Sequence, residues 1–199
     1  MNEVARHYDH LIDEGQDPVY DEPPLKEYMD KWDGQAFVAQ MQLDKAKSVL
    51  EIGVGTGRIA VKVAPQCKKF TGIDISAKTI AKAKQNIKMG LLKKPHLICS
   101  DFLSFRFEET FDVIYSSLTL LHIREKQAAF EKIRELLNKN GLFVLSIDKN
   151  QEKYIDMGTY KIEIYPDNPT DVKQYAANAH LRLVNEFDTE LGNIFVFTK

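Results

Sequence analysis

The stretch Val49-Leu50-Glu51-Ile52-Gly53-Val54-Gly55-Thr56-Gly57-Arg58-Ile59-Ala60 sets one carboxylate inside an apolar run and follows it with three glycines at alternate positions. A carboxylate in such a run is costly unless it is paired or meets a ligand. Glycines spaced this way let a backbone approach a bound molecule closely. A ligand with an ammonium group would suit Glu51, whereas a pyrophosphate would be repelled by it. A dinucleotide fingerprint requires GxGxxG, and Arg58 stands where its third glycine belongs. A nicotinamide oxidoreductase is therefore disfavoured. The alternative role for Glu51 is an ion pair with a lysine at the strand end.

Two further acids extend the pattern. Asp74, in Gly72-Ile73-Asp74-Ile75, ends a second apolar run, where a carboxylate in a doubly wound sheet can accept hydrogen bonds from ribose hydroxyls. Asp101, in Cys99-Ser100-Asp101-Phe102, could hold an exocyclic amine while Phe102 packs on a purine. Alone, that pair reads equally well as a turn-starting Asp beside a core Phe. Together the three acids fall at the carboxyl ends of successive strands, the edge where open α/β sheets bind ligands.

The elements that position them follow from periodicity. Residues 1–13 carry Val4, Tyr8, Leu11 and Ile12 on one helical face, and 14–24 is a loop punctuated by three prolines and Gly15. Residues 25–43 have helical spacing, interrupted at Asp33-Gly34. Strand–helix alternation begins at Ser48: strands over 49–52, 70–73, 96–99, 111–115 and 141–147. Helices open at 57–64, run from a Ser76 cap to about Met89 with Gly90 at its end, and span 125–138 with Gly141 as the stop. Residues 159–165 are expected to be extended and 170–179 a short helix. The runs 181–187 and 193–198 lie close enough for an antiparallel hairpin. The fold class is α/β: a doubly wound, mostly parallel seven-stranded sheet with a C-terminal antiparallel hairpin and helices on both faces. One domain over 1–199 is expected, with 1–47 as a helical or lid segment and 48–199 as the core.

From residue 48 the chain resembles the class I methyltransferases that use S-adenosylmethionine, on VLEIGVGTGRIA, GIDIS, SDF and FDVIYSSLTLLHI. The resemblance implies S-adenosylmethionine as cofactor, with Glu51 meeting its methionine amino group and Gly53, Gly55 and Gly57 lining the floor beneath it. It places Asp74 on the ribose hydroxyls with Ile75 against the adenine, Asp101 on the adenine amine beside Phe102, and Ser116 on the methionine part. Tyr115-Ser116-Ser117-Leu118 departs from the Asn/Asp-Pro-Pro-Tyr/Phe motif of nucleic-acid amino methyltransferases. Two cysteines cannot supply the set that arsenic methyltransferases need. Asn178-Ala179-His180 stands where the family often has a glycine.

The acceptor side has thinner signals. His122, after the fourth strand, is the leading candidate for acceptor binding or proton removal. Tyr8 is the second, in a segment placed to fold over the site as a lid. Trp32 is read as packing in preference to a cation–π contact with the sulfonium. Tyr160 and Tyr165 are further candidates for the pocket wall. Lys78, Lys82, Lys84, Lys88, Lys93 and Lys94 spread around a helix whose inner face is Ile80, Ala83 and Ile87, which describes a solvated face.

The 199 residues carry a net charge of −2, with no basic field to attract nucleic acid or anionic membrane. The N-terminus is too acidic for a signal peptide, and no run approaches the ~20 apolar residues of a membrane span. Cys67 and Cys99 lack metal-like spacing and are read as structural thiols in a reducing compartment. The expectation is a cytoplasmic enzyme acting on a small-molecule methyl acceptor, with no metal, nucleic acid or membrane partner. The alternatives are a methyltransferase acting on protein or RNA, and a non-catalytic binder of an adenosyl ligand.

Overall fold

The computed structural model describes residues 2–88 and 94–199. Three short helices, α1 (Glu3–Asp13), α2 (Pro23–Met29) and α3 (Gly34–Gln40), precede the sheet. The alternation then runs β1 (Ser48–Ile52), α4 (Ala60–Val63), β2 (Lys69–Asp74), α5 (Ala77–Asn86), β3 (His96–Cys99), β4 (Phe111–Ser117), α6 (Lys126–Leu136) and β5 (Leu137–Asp148). A small hairpin of β6 (Tyr154–Asp156) and β7 (Lys161–Glu163) follows, then α7 (Pro169–Asn178), β8 (Arg182–Asp188) and β9 (Gly192–Thr198). The seven-stranded sheet has the order β3-β2-β1-β4-β5-β9-β8. Only β9 runs against its neighbours, pairing antiparallel with β5 and β8. The doubly wound sheet and terminal hairpin expected from the sequence are both present.

Strand parity distributes the side chains. Leu50 and Ile52 face a core that holds Phe130 and Ile133 of α6 with Val172 and Ala176 of α7. Val49 faces the opposite core with Phe37, Ala60, Val63, Ile80 and Ala83, so helices cover both faces. Glu51 shares the parity of Val49, and its register partners are Gly72 on β2 and Tyr115 on β4. A strand covered on both sides has no place for solvent, so this acid needs a partner.

Several boundaries differ from expectation, each for a local reason. Residues 57–59 are not helical, because Gly57 has φ +100, and α4 begins at Ala60. Helix α5 stops at Asn86, short of Met89, because Ile87 turns extended and packs against Gly57. Met89, Gly90 and Lys93 lie outside the described residues. Helix α6 stops at Leu136, and Leu137, expected to be helical, already pairs with Phe111 as the first residue of β5. The expected extended segment at 159–165 contains β7, and its partner β6 had no signal in the sequence. His180, in the Asn178-Ala179-His180 segment where the family often has a glycine, adopts φ +58. The turn keeps its left-handed geometry at a cost of roughly 1–2 kcal/mol for a residue with a Cβ. No disulfide joins Cys67, which is buried, to Cys99, which is exposed. No described helix is long and apolar enough to cross a membrane.

Helix α1 lies along α5. Asp9 accepts hydrogen bonds from Ser76 Oγ (2.7 Å) and Lys78 N (3.0 Å), and Asp13 pairs with Lys78 Nζ at 2.5 Å. Asp9 and Asp13 are one turn apart, so one face of α1 carries both fastenings. The same helix is held at its other side by His7 Nδ1, 2.9 Å from Tyr160 Oη near the β6–β7 hairpin.

Candidate functional site

The carboxyl ends of β1, β2, β3 and β4 surround a cavity of about 330 Å³ that α1 covers. Glu51, Gly53, Gly55, Asp74, Ile75, Asp101, Phe102, Tyr8 and His122 all line it. Gly57 and Ser116 do not, and this changes how the first motif reads. Gly53 has φ +79, and a Cβ there would sit 2.0 Å from Thr119 Oγ1. Gly55 has φ +53 and nothing within 4 Å of a Cβ, so its Cα faces open space. Gly57 is required for packing, since a Cβ would meet Ile87 Cγ1 at 2.8 Å. Three similar residues therefore answer three different needs.

Ser116 is fully buried and donates to the Ile52 carbonyl at 3.1 Å, tying β4 to β1. Ser117, Leu118 and Thr119 reach the cavity in its place. Leu118 holds φ +52, an unfavourable conformation for a residue with a Cβ, which turns the chain over Gly53. The sequence placed the serine one residue early because the end of a strand sets which side chains leave the sheet.

The carboxylates are differently held. Glu51 is buried and accepts a hydrogen bond from Tyr115 Oη at 2.7 Å; burial pushes its pKa well above the usual carboxylate range. Asp74 accepts from Gly55 N (2.9 Å), Ser76 N (2.9 Å) and Thr79 Oγ1 (3.2 Å), with burial raising its pKa against those bonds. Asp101 accepts from Ser104 N at 2.8 Å, the turn contact that its sequence context also suggested. Thr56 Oγ1, in the glycine loop, is buried without a partner among the described residues and lines the same cavity.

One constellation was not legible in the sequence. Asp33, the N-cap of α3, accepts from Arg58 Nη1 (3.0 Å) and Nη2 (2.5 Å), Ser117 Oγ (2.7 Å) and Gly34 N (2.6 Å). Burial opposes its ionisation, yet the Arg58 guanidinium and these donors hold its pKa below the usual value. Arg58 lines the cavity beside Glu51, so this pair pins the N-terminal helices to the glycine loop. The Asp33-Gly34 break in helical spacing was the only available signal.

On the far side, Tyr8 Oη and His122 Nε2 are 2.8 Å apart, although 114 residues separate them. His122 Nδ1 is buried with no partner among the described residues. Lys126 fixes the turn that carries His122 by donating to the carbonyls of Leu120 and Tyr165 (both 2.7 Å) and to Asp167 (2.8 Å). Burial, then the charges of His7 and Lys126, lowers the His122 pKa to about 4. Burial, then the Asp74 charge, pushes the Tyr8 hydroxyl well up. Trp32 and the tyrosines at 160 and 165 do not line the cavity. Trp32 packs edge-on to Tyr28, and Tyr165 bonds Glu163.

The depressed imidazole makes stability depend on acidity. Unfolded, His122 takes a proton near pH 6.5; folded, it resists until about pH 4. Stability is unaffected above that window and falls as pH drops through it, by up to roughly 3 kcal/mol. The gap in melting temperature between the wild type and His122→Asn should therefore shrink between pH 6.5 and 4. Parallel curves for the two proteins would rule this out.

Residues 43–187 match the model of a methyltransferase domain family, and the chain belongs to that family. An uncharacterized methyltransferase of Bacillus cytotoxicus is 35% identical over 111 residues, covering 54% of this chain and 50% of that protein. The chain spans about half the length of the curated relatives it matches. Among solved structures, a putative S-adenosylmethionine-dependent methyltransferase from Listeria monocytogenes is similar with a TM-score of 0.73 at 15% identity, over 82% of this chain and 95% of that one. The N-methyltransferase NodS from Bradyrhizobium japonicum, in complex with S-adenosyl-L-homocysteine, is similar with a TM-score of 0.68 at 16% identity, over 100% and 99%. At these identities the structural likeness speaks to the fold.

Proposed function

We propose that this chain binds S-adenosylmethionine and transfers its methyl group to a small-molecule acceptor. The observation that carries the reading is the convergence of Glu51, Asp74 and Asp101 on one cavity floored by Gly53 and Gly55. The residues fit the cofactor. Gly55 leaves open space where a Cβ would stand, the Thr56 hydroxyl has no partner among the described residues, and the buried acid Glu51, its pKa raised by burial, would ionise against an ammonium group. In this reading Glu51 receives the methionine amino group and Asp74 the ribose hydroxyls. Ile75 and Phe102 flank the adenine, and Asp101 accepts from its amine. Gly57 and Ser116 contribute by shaping the loop and strand, without contact.

When bound, S-adenosylmethionine supplies a methyl group on a sulfonium sulfur, open to in-line displacement by a nucleophile. What the protein adds is alignment and exclusion of water, worth roughly 7–11 kcal/mol where orientation is good. Tyr8 and His122 stand at the acceptor, and α1 acts as the lid that shuts solvent out. A small acceptor agrees with a cavity of about 330 Å³ that α1 covers. Cytoplasmic location remains part of this proposal.

The test is a thermal melt. S-adenosylhomocysteine at a hundred times its dissociation constant should stabilise the fold by about 2.7 kcal/mol, while NAD should not. Stabilisation by NAD alone would remove the reading.

A further inference from the structure

The acceptor end of the cavity has a chemistry that narrows what it takes. Val4 and Leu11 flank Tyr8 one turn away in each direction on α1, while Leu118 and Ile123 flank the turn that carries His122. These walls are apolar. The charged residues lining the cavity are each engaged: Glu51 with Tyr115, Arg58 with Asp33, Asp74 with backbone amides, Asp101 with Ser104. Among the described residues no unpaired cation lines the cavity to hold an anionic acceptor. Around His122 the neighbouring titratable groups are Tyr8 and His7 from α1 and Lys126 from α6, with Asp74 of β2 acting on Tyr8. Among the described residues no carboxylate bonds the imidazole, and its Nδ1 has no partner.

Resting on the methyl-transfer reading, we propose that the acceptor is an uncharged weak acid on an apolar frame, a thiol or a phenol. An alkylammonium acceptor would bring a second cation beside a sulfonium, while each carboxylate lining the cavity is assigned to a part of the cofactor, so the ammonium would be buried without a carboxylate of its own, at a high cost. An aliphatic alcohol holds its proton too tightly for an imidazole with nothing to stabilise its cation, since each unit of mismatch costs 1.36 kcal/mol. A thiol or phenol enters neutral and yields its proton as the new bond forms. The acceptor proton passes to Tyr8 Oη while the Tyr8 proton passes to His122 Nε2. The electron pair left on sulfur or oxygen forms the bond to the methyl carbon, and the pair of the broken carbon–sulfonium bond stays on sulfur. His122 then returns its proton to solvent. Tyr8 is the catalytic residue, and His122 acts through it.

Three probes on one aromatic frame test this: thiophenol, 4-nitrophenol and benzylamine. Binding is measured by calorimetry at a pH below the ionisation of both acidic probes, on protein saturated with S-adenosylhomocysteine. Thiophenol and 4-nitrophenol should bind at least tenfold more tightly than benzylamine. With S-adenosylmethionine, Tyr8→Phe should retain S-adenosylhomocysteine binding and lose about 10²–10⁴-fold in rate on both acidic probes. Its residual rate should rise with pH along the ionisation of the free probe, whereas the wild-type rate should not, and His122→Asn should behave like Tyr8→Phe. Equal or tighter binding of benzylamine, no binding of any probe, or an unchanged pH profile in Tyr8→Phe would overturn the proposal. Failure of S-adenosylhomocysteine to stabilise the protein would be seen before any probe is added, and it would count against the methyl-transfer reading instead.

Discussion

Asp33→Ala is expected to lower the melting temperature by roughly 6–20 °C. Breaking a buried ion pair by removing one partner costs about 3–5 kcal/mol, and a chain of this size loses roughly 2–4 °C per kcal/mol. Asp33 fits that case: its side chain is 2% exposed and accepts four hydrogen bonds, two of them from Arg58. The Arg58 side chain is itself only 17% exposed, so its charge cannot simply turn to water. Its remaining acid neighbours are Asp30, at 3.8 Å, and Glu51. A released guanidinium that moved to Glu51 would also occupy the acid assigned to the ammonium group of the cofactor, so S-adenosylhomocysteine binding should weaken as well. Replacing both residues, Asp33→Ala with Arg58→Met, should recover part of the loss, because no uncompensated charge remains. A thermal melt of the single and double variants decides it. A single variant within a degree or two of the wild type would show that the pair does not hold the N-terminal helices.

Asp74→Ala should reduce affinity for S-adenosylhomocysteine by about 10²–10⁴-fold. Two charge-assisted hydrogen bonds to a ribose diol contribute on the order of 1.5–3 kcal/mol each. The structure adds a stability cost, because Asp74 also accepts from the Gly55 and Ser76 amides and from Thr79. Leaving buried donors unpaired costs about 1–3 kcal/mol, so the melting temperature of the free protein should fall too. Calorimetric titration below that melting temperature separates the two effects. An unchanged dissociation constant would take Asp74 out of the site.

That Glu51, Gly53, Gly55 and Asp74 gather at the carboxyl ends of neighbouring strands was readable without a fold because the signals are local. An acid inside an apolar strand, glycines where the chain must turn, and an Asp at the next strand end each follow from chemistry within a few positions. The same holds for the sheet, since β1, β2, β4 and β5 announce themselves by apolar runs and the hairpin of β8 and β9 by a short polar gap. Locality also explains the errors. Ser116 and Ser117 are equivalent by type, and only the register of β4 against β1 decides that one ties the strands and the other meets Asp33. Gly57 looks like Gly55 until Ile87, 30 residues later, packs where its Cβ would be. Asp33 and Arg58 meet across 25 residues, and Tyr8 and His122 across 114, through helices whose docking depends on the whole sheet. Short-range periodicity sets which groups the chain owns and roughly at which strand end they stand. Burial, and with it the partner, the protonation state and the exposure of each group to the cavity, arises only when distant elements pack together.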